Sequence, residues 1–293
     1  MYRIGILGAE NSHALGFTQV FNGLRPEFGD EFKDIQVVAV GGHYPEANRA
    51  LYEKGLLELL ADKPEDMLGK VDAVLVTARD GQFHAEFARP FIEAGLPVFV
   101  DKPFTRNVQE AVELARLAKA KGVPVVGGSA LKMCADTEKM AETFRSLGDA
   151  FRSGDVTAPV SMVNDYGNFW FYAAHLAEIT LQIFGWQPEW VWANANEKGV
   201  TAVIHYPGFD VTSHFIEEAY HYSCTLCSTE GILHQPIDID DFIVLECRSV
   251  ANMLRKGEMD FSYEQLVAPV ALLSALEESF QTGQKAEVPQ FTI

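Results

Sequence analysis

The chain has 293 residues, 48% of them hydrophobic, and a formal net charge of −18 from 41 acidic and 23 basic side chains. This apolar content suits two domains or one large one. The negative charge, with no basic cluster to offset it, disfavours polyphosphate backbones and anionic membranes as partners, so we expect a small-molecule ligand.

The amino terminus and the cysteines bear on location. Met1 leads directly into a predicted strand, without the basic and then apolar segments of a signal peptide. No apolar stretch approaches the ~18 residues of a membrane span. Among the four cysteines only Cys224 and Cys227 form a CxxC pair, with no second pair or neighbouring histidine. These features predict a cytoplasmic protein with reduced cysteines and without a metal site.

Strands and helices alternate in the first part of the chain. Short apolar runs predict strands at 4–7, 36–40, 73–76, 98–100 and from 125 onward. Helices are predicted between them, up to about residue 23, after Pro45, over 83–94 with a kink at Pro90, and after Asn107. This alternation predicts a Rossmann-like, doubly wound parallel sheet that forms a dinucleotide-binding domain over residues 1–128.

The pattern changes after residue 128. Helices are predicted over 136–151, 169–184 and 263–282, the last interrupted by Pro269. Strands are predicted at 160–163, 190–193, 200–206, 211–216, 221–226 and 242–247. We therefore expect residues 129–293 to form an α+β domain with a mainly antiparallel sheet.

The stretch from Val98 to Phe104 is the most site-like part of the sequence. A buried apolar strand runs directly into Asp101 and Lys102, and Pro103 then ends it. Ligands of open α/β sheets collect at the carboxyl ends of the strands, so we expect both charged side chains to face a ligand. The alternative is an ordinary surface pair at a strand exit.

The turn after the first strand matches a dinucleotide fingerprint only in part. Gly8 fits the first glycine of G-x-G-x-x-G, but Glu10 and His13 replace the other two. A carboxylate 4 Å from a phosphate would be unfavourable by ~4 kcal/mol at an effective dielectric of 20. Either Glu10 points away, or amides at the helix start, with Ser12 and His13 as donors, hold the phosphate differently. A tight turn that binds no nucleotide is the alternative.

The second strand does not reveal the cofactor. It ends in Gly41, Gly42 and His43, with neither an acidic residue for a ribose diol nor an arginine for a 2′-phosphate. Arg49 lies a helical turn further on. The sequence therefore predicts NAD or NADP without choosing between them.

Tyr172 and His175 lie three residues apart in the long helix of the second half, so their side chains share a face. Histidine is the usual proton shuttle near neutral pH. The alternative is a buried structural histidine beside a core tyrosine. Nearby polar and aromatic residues would suit the hydroxyls and the ring face of a polyol, namely Asn164, Asp165 and Trp170, although the tryptophan is equally suited to the helix core.

Together these features resemble the Gfo/Idh/MocA family of NAD(P)-dependent oxidoreductases, and the likeness extends over essentially the whole chain. Residues 94–103, Ala-Gly-Leu-Pro-Val-Phe-Val-Asp-Lys-Pro, are similar to the family signature EAGKHVxxEKP with Asp in place of Glu. Residues 74–84 resemble its VxxxTPxxxH segment. His175 matches the catalytic histidine of the family, and residues 263–283 resemble its last helix.

The resemblance implies a dehydrogenase that transfers hydride between a nicotinamide cofactor and a sugar, cyclitol or related polyol. Lys102 would orient the substrate hydroxyl and help its proton leave, His175 would be the general acid/base, and Tyr172 would complete the catalytic set. The implied cofactor contacts are Gly8, Ala9, Glu10, Asn11, Ser12, His13, Gly42, Thr77, Arg79, His84, Asp101 and Lys102. The family also implies a homo-oligomer, dimer or tetramer, formed through the open face of the second sheet.

One departure from the family pattern affects the catalytic set. Many members carry Asp four residues before the histidine, where this chain has Phe171. Tyr172 and Asp165 are the candidates to replace it. Two other functions therefore stay open: a non-catalytic ligand-binding or regulatory relative, and a redox-neutral lyase or glycosidase that retains its nicotinamide.

Overall fold

The computed structural model describes residues 1–293 and contains two sheets. The first sheet has six parallel strands in the order β3-β2-β1-β4-β5-β6. Their bounds are β1 (Tyr2–Leu7), β2 (Ile35–Gly41), β3 (Leu59–Leu60), β4 (Ala73–Val76), β5 (Val98–Val100) and β6 (Val125–Gly127). The strand order reverses direction at β1, which makes the carboxyl end of this strand a ligand-binding switch point.

Four helices connect these strands: α1 (Ser12–Phe21), α2 (Pro45–Gly55), α3 (His84–Glu93) and α4 (Val108–Lys121). Local signals fix their ends. The Asn11 side chain caps α1 by accepting from the amide of His13, and Asn107 caps α4 by accepting from that of Glu110. Gly122, at φ +66°, ends α4 in the left-handed conformation. The predicted doubly wound sheet is confirmed.

The second sheet has seven strands in the order β12-β11-β7-β10-β9-β8-β13. Neighbouring strands run antiparallel except for the parallel pair β7 and β10. The strands are β7 (Phe151–Val160), β8 (Trp190–Asn196), β9 (Gly199–Tyr206), β10 (Phe209–Glu217), β11 (Ser223–Ser228), β12 (Gly231–Pro236) and β13 (Ala286–Glu287). With the helices α5 (Ala135–Leu147), α6 (Phe169–Phe184) and α8 (Tyr263–Thr282), this confirms the predicted α+β fold of the second half.

Three local predictions were wrong. Residues 242–247 begin a helix, α7 (Phe242–Lys256), and not a strand, because buried Val244, Cys247, Val250 and Ala251 follow helical spacing beyond that short window. The strand predicted at 160–163 lies earlier and is β7. Buried and more exposed residues alternate along β7, and several of them are polar, so no apolar run marks it in the sequence. Helix α8 continues through Pro269 without interruption.

Helix α7 packs on the first sheet although it comes late in the chain. Its buried residues join a core with Phe17 and Phe21 of α1 and with Phe99 of β5. The core of the first sheet is therefore completed by a segment from the carboxyl-terminal half. The division at residues 128 and 129 stays a prediction.

Two smaller features concern the membrane and the CxxC pair. None of the helices combines the length and apolar character that crossing a membrane requires. Cys224 and Cys227 are three residues apart in strand β11, which directs their side chains to opposite faces of the sheet, the first buried and the second half-buried.

Candidate active site

The turn after β5 is tied to the turn after β1. Asp101 is fully buried and Lys102 is 4% exposed. One carboxylate oxygen of Asp101 accepts from the backbone amide of Lys102 at 2.7 Å, and the other accepts from Nδ2 of Asn11 at 2.7 Å. Asn11 thus caps α1 and also fixes the carboxylate beside Lys102.

Four charged side chains cluster at this point. Nδ1 of His13 lies 3.1 Å from Oε2 of Glu246 and 3.5 Å from Oδ2 of Asp101, and Nζ of Lys102 lies 3.7 Å from the same Asp101 oxygen. Burial alone would lower the pKa of His13, but the two carboxylates raise it. With an imidazolium at His13, two cations balance two carboxylates.

The two carboxyl groups of the cluster differ. Burial opposes ionisation of Asp101, yet the positive charges of His13 and Lys102 hold its pKa below the ordinary value. Burial raises the pKa of Glu246, and neither of its oxygens has a hydrogen-bond partner of good geometry. Sequence reasoning missed Glu246 because it lies on α7, where a strand was predicted. Ligand atoms of His13, Asp101 and Glu246 lie within 4.8 Å of one another, but the nearby ammonium of Lys102 balances the cluster without a metal ion.

His175 lies in the second turn of α6, and a polar network fixes its ring. Nδ1 lies 2.7 Å from Oγ of Ser129, in the loop after β6, which leaves Nε2 available in the cavity. The amide of Ser129 donates to Oε1 of Glu178 at 2.8 Å, and Nζ of Lys132 donates to Oε2 of Glu178 at 2.5 Å. Burial, together with the positive charge of Lys102, places the pKa of His175 well below its ordinary value. The imidazole is therefore neutral at pH 7.

Phe171 occupies the position where the family resemblance leads one to expect an acid, and two cations lie against its ring. Nζ of Lys102 lies 5.0 Å from the ring centroid, and Cζ of Arg79 lies 5.2 Å from it. The Arg79 guanidinium also stacks on Tyr166 at 4.2 Å. Cation–π contacts to the Phe171 ring are therefore what this wall has in place of an acid.

These groups surround one cavity of about 210 Å³ between elements of the two sheets. Tyr172 lies beside the histidine, with ring centroids 6.0 Å apart, and burial raises its pKa. Glu246 is the one acidic residue in the lining. The structure brings into this single cavity a set of the residues that the sequence predicted: Asn11, Ser12, His13, Arg79, Lys102, Tyr172 and His175.

Some predicted cofactor contacts have a structural role. The two ring nitrogens of His84 each lie 2.8 Å from a backbone carbonyl oxygen, of Pro103 and of Ala78, and the residue is fully buried. Oγ1 of Thr77 donates to the carbonyl of Gly8 at 2.9 Å. These side-chain contacts lie inside the protein and support the site, and the prediction that the two residues contact the cofactor stays a prediction.

The predicted substrate contacts also lie elsewhere. Trp170 is 4% exposed and donates from Nε1 to Glu277 at 2.9 Å, which places it in the core. Asn164 bonds within its own loop, to Ser161, Tyr166 and Asn168. Asp165 is exposed and lies outside the cavity lining. Their positions favour a core role for the tryptophan and a loop-stabilising role for Asn164.

The Gly8 turn fits a dinucleotide better than its sequence suggested. Gly8 has φ +105°, and a Cβ there would lie 2.2 Å from the backbone nitrogen of Ala78, so no other residue fits. Oε1 of Glu10 accepts from the amide of Arg79 at 2.9 Å, which turns the carboxylate toward the loop after β4. The first turn of α1 contains no acid. The start of α1, next to the turns after β1 and β4, can therefore bind an anion.

Gly42 and Arg49 line a separate pocket of about 410 Å³ beyond β2. A Cβ on Gly42 would lie 2.9 Å from the nitrogen of Gly8, so the two turns pack tightly against each other. This pocket continues the edge that the Gly8 turn begins.

The fold and the site define a two-domain protein of the Rossmann dinucleotide-binding class. Residues 2–129 match the sequence profile of the Gfo/Idh/MocA oxidoreductase family, described as an oxidoreductase family with an NAD-binding Rossmann fold. This match covers the N-terminal part of the chain. The resemblance seen in the sequence is confirmed.

Individual proteins are similar to this chain in part of the sequence or in the fold. The uncharacterized oxidoreductase YhhX of Escherichia coli is 31% identical over 133 residues, which cover 41% of this chain and 38% of that protein. A probable dehydrogenase from Thermotoga maritima is 17% identical, with a TM-score of 0.80 and 98% of each chain covered. The scyllo-inositol dehydrogenase of Lactobacillus casei, solved with NAD(H) and scyllo-inositol, is 14% identical, with a TM-score of 0.81, and 98% of this chain and 99% of that chain are covered. These structures show that the whole chain has the same two-domain fold.

Proposed function

We propose that this protein is an NAD(P)-dependent dehydrogenase that oxidises a CH–OH group of a sugar, cyclitol or related polyol. The observation that carries the proposal is the shared cavity of Lys102 and His175, which reach it from elements of different sheets. The scyllo-inositol complex of the Lactobacillus casei relative supports the substrate class. The match of residues 2–129 to a family with an NAD-binding Rossmann fold supports the cofactor.

The residues present fit a dinucleotide. We assign the backbone of Gly8 and Ala9 and the Asn11 and Ser12 end of α1 to the cofactor, since they lie at the carboxyl edge of the first sheet, where the buried Asp101 fixes Asn11. The nicotinamide would accept the hydride from the substrate carbon. The Glu10 carboxylate does not oppose this assignment because it is bonded to the amide of Arg79.

Two side chains would act on the reacting hydroxyl and its proton. The Lys102 ammonium, held beside Asp101, would donate a hydrogen bond to the reacting oxygen. His175 would accept the hydroxyl proton at Nε2, since its Nδ1 is bonded to Ser129 and its low pKa keeps it neutral. Tyr172 would hold a neighbouring hydroxyl. The homo-oligomer implied by the resemblance stays a prediction, which light scattering would check.

The first test is calorimetric titration of cofactor-stripped protein with NADH and, separately, with NADPH. Micromolar binding of one of them, about −8 kcal/mol, would identify the cofactor and justify a polyol screen followed at 340 nm. Lys102→Ala should then reduce kcat by about 10²-fold or more. The control is Lys121→Ala, at the exposed end of α4, which should keep full activity.

A second candidate function is a non-catalytic ligand-binding protein, which the phenyl ring of Phe171 favours. No binding of either nucleotide up to millimolar concentration would support it and would contradict the dehydrogenase. A redox-neutral enzyme would instead retain its nicotinamide tightly and convert substrate without a net absorbance change.

A further inference from the structure

Arg79 is a cation without a counter-ion. Its guanidinium is half-buried in the cavity lining, yet it makes no ion pair and no side-chain hydrogen bond. Arg106, close by, differs because it pairs with Asp80 at 3.1 Å. The backbone amide of Arg79 is bonded to Glu10, but that contact leaves the guanidinium free.

Aromatic rings of the second half position this guanidinium. It lies 4.2 Å from the ring centroid of Tyr166 and 5.2 Å from that of Phe171, and Lys102 lies 5.0 Å from the same Phe171 ring. Two like charges thus share one apolar ring. The single acid of the cavity lining, Glu246, is already beside His13.

Lys102 has a counter-ion in Asp101 at 3.7 Å, so Arg79 is the cation at this ring that lacks one. A half-buried guanidinium close to a second cation is unfavourable unless an anion lies beside it. An arginine fork matches a carboxylate in bidentate geometry, and its stacking on two rings fixes the plane of the fork. The missing negative charge is therefore one that a ligand can supply.

We propose that Arg79 binds a carboxylate of the substrate, and that the substrate is a sugar acid or a related polyhydroxy acid. The placement of its reacting hydroxyl at Lys102 and His175 rests on the proposed dehydrogenase function. Arg79 was predicted as a cofactor contact. We assign it to the substrate because the rings that hold it belong to α6 and to the loop just before this helix, which carries Tyr172 and His175.

The test is titration of the cofactor-bound protein with D-gluconate and D-glucuronate, and with glucose and inositol as neutral counterparts. At least one acid should bind at least about 10-fold more tightly than its neutral counterpart. Arg79→Gln should weaken that binding by about 10- to 100-fold and leave the Kd for NADH unchanged. Arg79→Lys should lie between the two because it keeps the charge but not the fork.

Two further variants sharpen the comparison. Arg89→Gln removes an arginine of the same domain outside the cavity, paired with Glu113, and should bind the acid like the wild type. Phe171→Asp supplies an internal counter-ion between Arg79 and Lys102 and should weaken acid binding. Thermal midpoints of all variants show whether each one is folded.

Other outcomes overturn the inference or separate it from the proposed function. If Arg79→Gln weakens NADH binding and not acid binding, Arg79 is a cofactor phosphate ligand and the inference is wrong. Arg79-independent turnover of neutral polyols also overturns it, while the dehydrogenase stands. Arg79-dependent acid binding without any nucleotide-linked turnover upholds the inference and overturns the dehydrogenase. Failure of both acids to bind at millimolar concentration, or tighter Arg79-dependent binding of glucose 6-phosphate, overturns the carboxylate assignment.

Discussion

At the scale of single residues, the chemistry depends on neighbours that hold each reactive group in one state. His175 is directed by Ser129, which is held in turn by Glu178. Lys102 is placed by Asp101, and Asn11 fixes that carboxylate. Lys102 and His175 could be found from sequence because each lies in a recognisable local pattern. Ser129 and Glu246 could not, since their roles depend on contacts between distant segments.

The protonation of His175 gives a prediction at this scale. Its pKa lies below the ordinary value, so the imidazole is neutral at pH 7 and becomes protonated as the pH falls through that lowered pKa. A protonated ring cannot accept the hydroxyl proton. We expect kcat/KM for alcohol oxidation to fall by about tenfold per pH unit on an acid limb whose midpoint lies below about 6.5.

The measurement is a pH profile of kcat/KM for the wild type and for His175→Asn. The variant should be slower by about 10²-fold or more and should lack the acid limb. An unchanged limb in the variant would assign the titration to another group.

At the scale of elements, α7 has the largest influence on the site that the sequence did not predict. Its run of Phe, Ile, Val and Leu has the composition of a strand, whereas its full length has the periodicity of a helix. The helix lies against α1 and delivers Glu246 to the charged cluster. A wrong element type there therefore removed a site residue from the sequence-based prediction.

Packing of α7 gives a stability prediction. Met253 of α7 is 1% exposed and lies in the core that this helix shares with the first sheet. Met253→Ala should lower the free energy of unfolding by about 2–5 kcal/mol, since a cavity replaces the side chain. Urea denaturation measures this, with the exposed Lys256→Ala as a control expected within about 0.5 kcal/mol of the wild type. A near-neutral Met253→Ala would show that α7 contributes little to this core.

At the scale of the whole molecule, the two sheets are joined by a buried ion pair. Lys132 follows β6 of the first sheet, and Glu178 lies on α6, which packs on the second. Both side chains are almost fully buried, and a Cβ on Gly128 would lie 2.5 Å from Glu178 Oε2 and 2.7 Å from Lys132 Nζ. Burial raises the pKa of Glu178, and Lys132 opposes that rise.

Removal of one partner of the Lys132–Glu178 ion pair should destabilise the folded protein. Lys132→Met leaves the Glu178 carboxylate buried and uncompensated, which should cost about 3–5 kcal/mol of unfolding free energy. The pKa of Glu178 should then rise further in the folded state. A raised folded pKa favours the folded state at low pH, so the deficit should grow as the pH increases.

Denaturant unfolding at several pH values measures this effect. Lys132→Met with Glu178→Gln should recover most of the loss because no buried charge remains and the amide of Ser129 keeps its acceptor. A single variant as stable as the double variant would contradict the expected cost of the unpaired carboxylate.

The sequence by itself determined the parallel N-terminal sheet, most of the second sheet, and the positions of Lys102 and His175. Those features follow from local apolar periodicity, caps and strand ends, which act over a few residues. Only the tertiary structure decided that α7 is a helix against α1, that Glu10 turns to the Arg79 amide, and that the ring nitrogens of His84 and Trp170 contact groups inside the protein. Each of these depends on contacts between segments distant in the chain, since burial and hydrogen-bond partners are properties of the packed molecule.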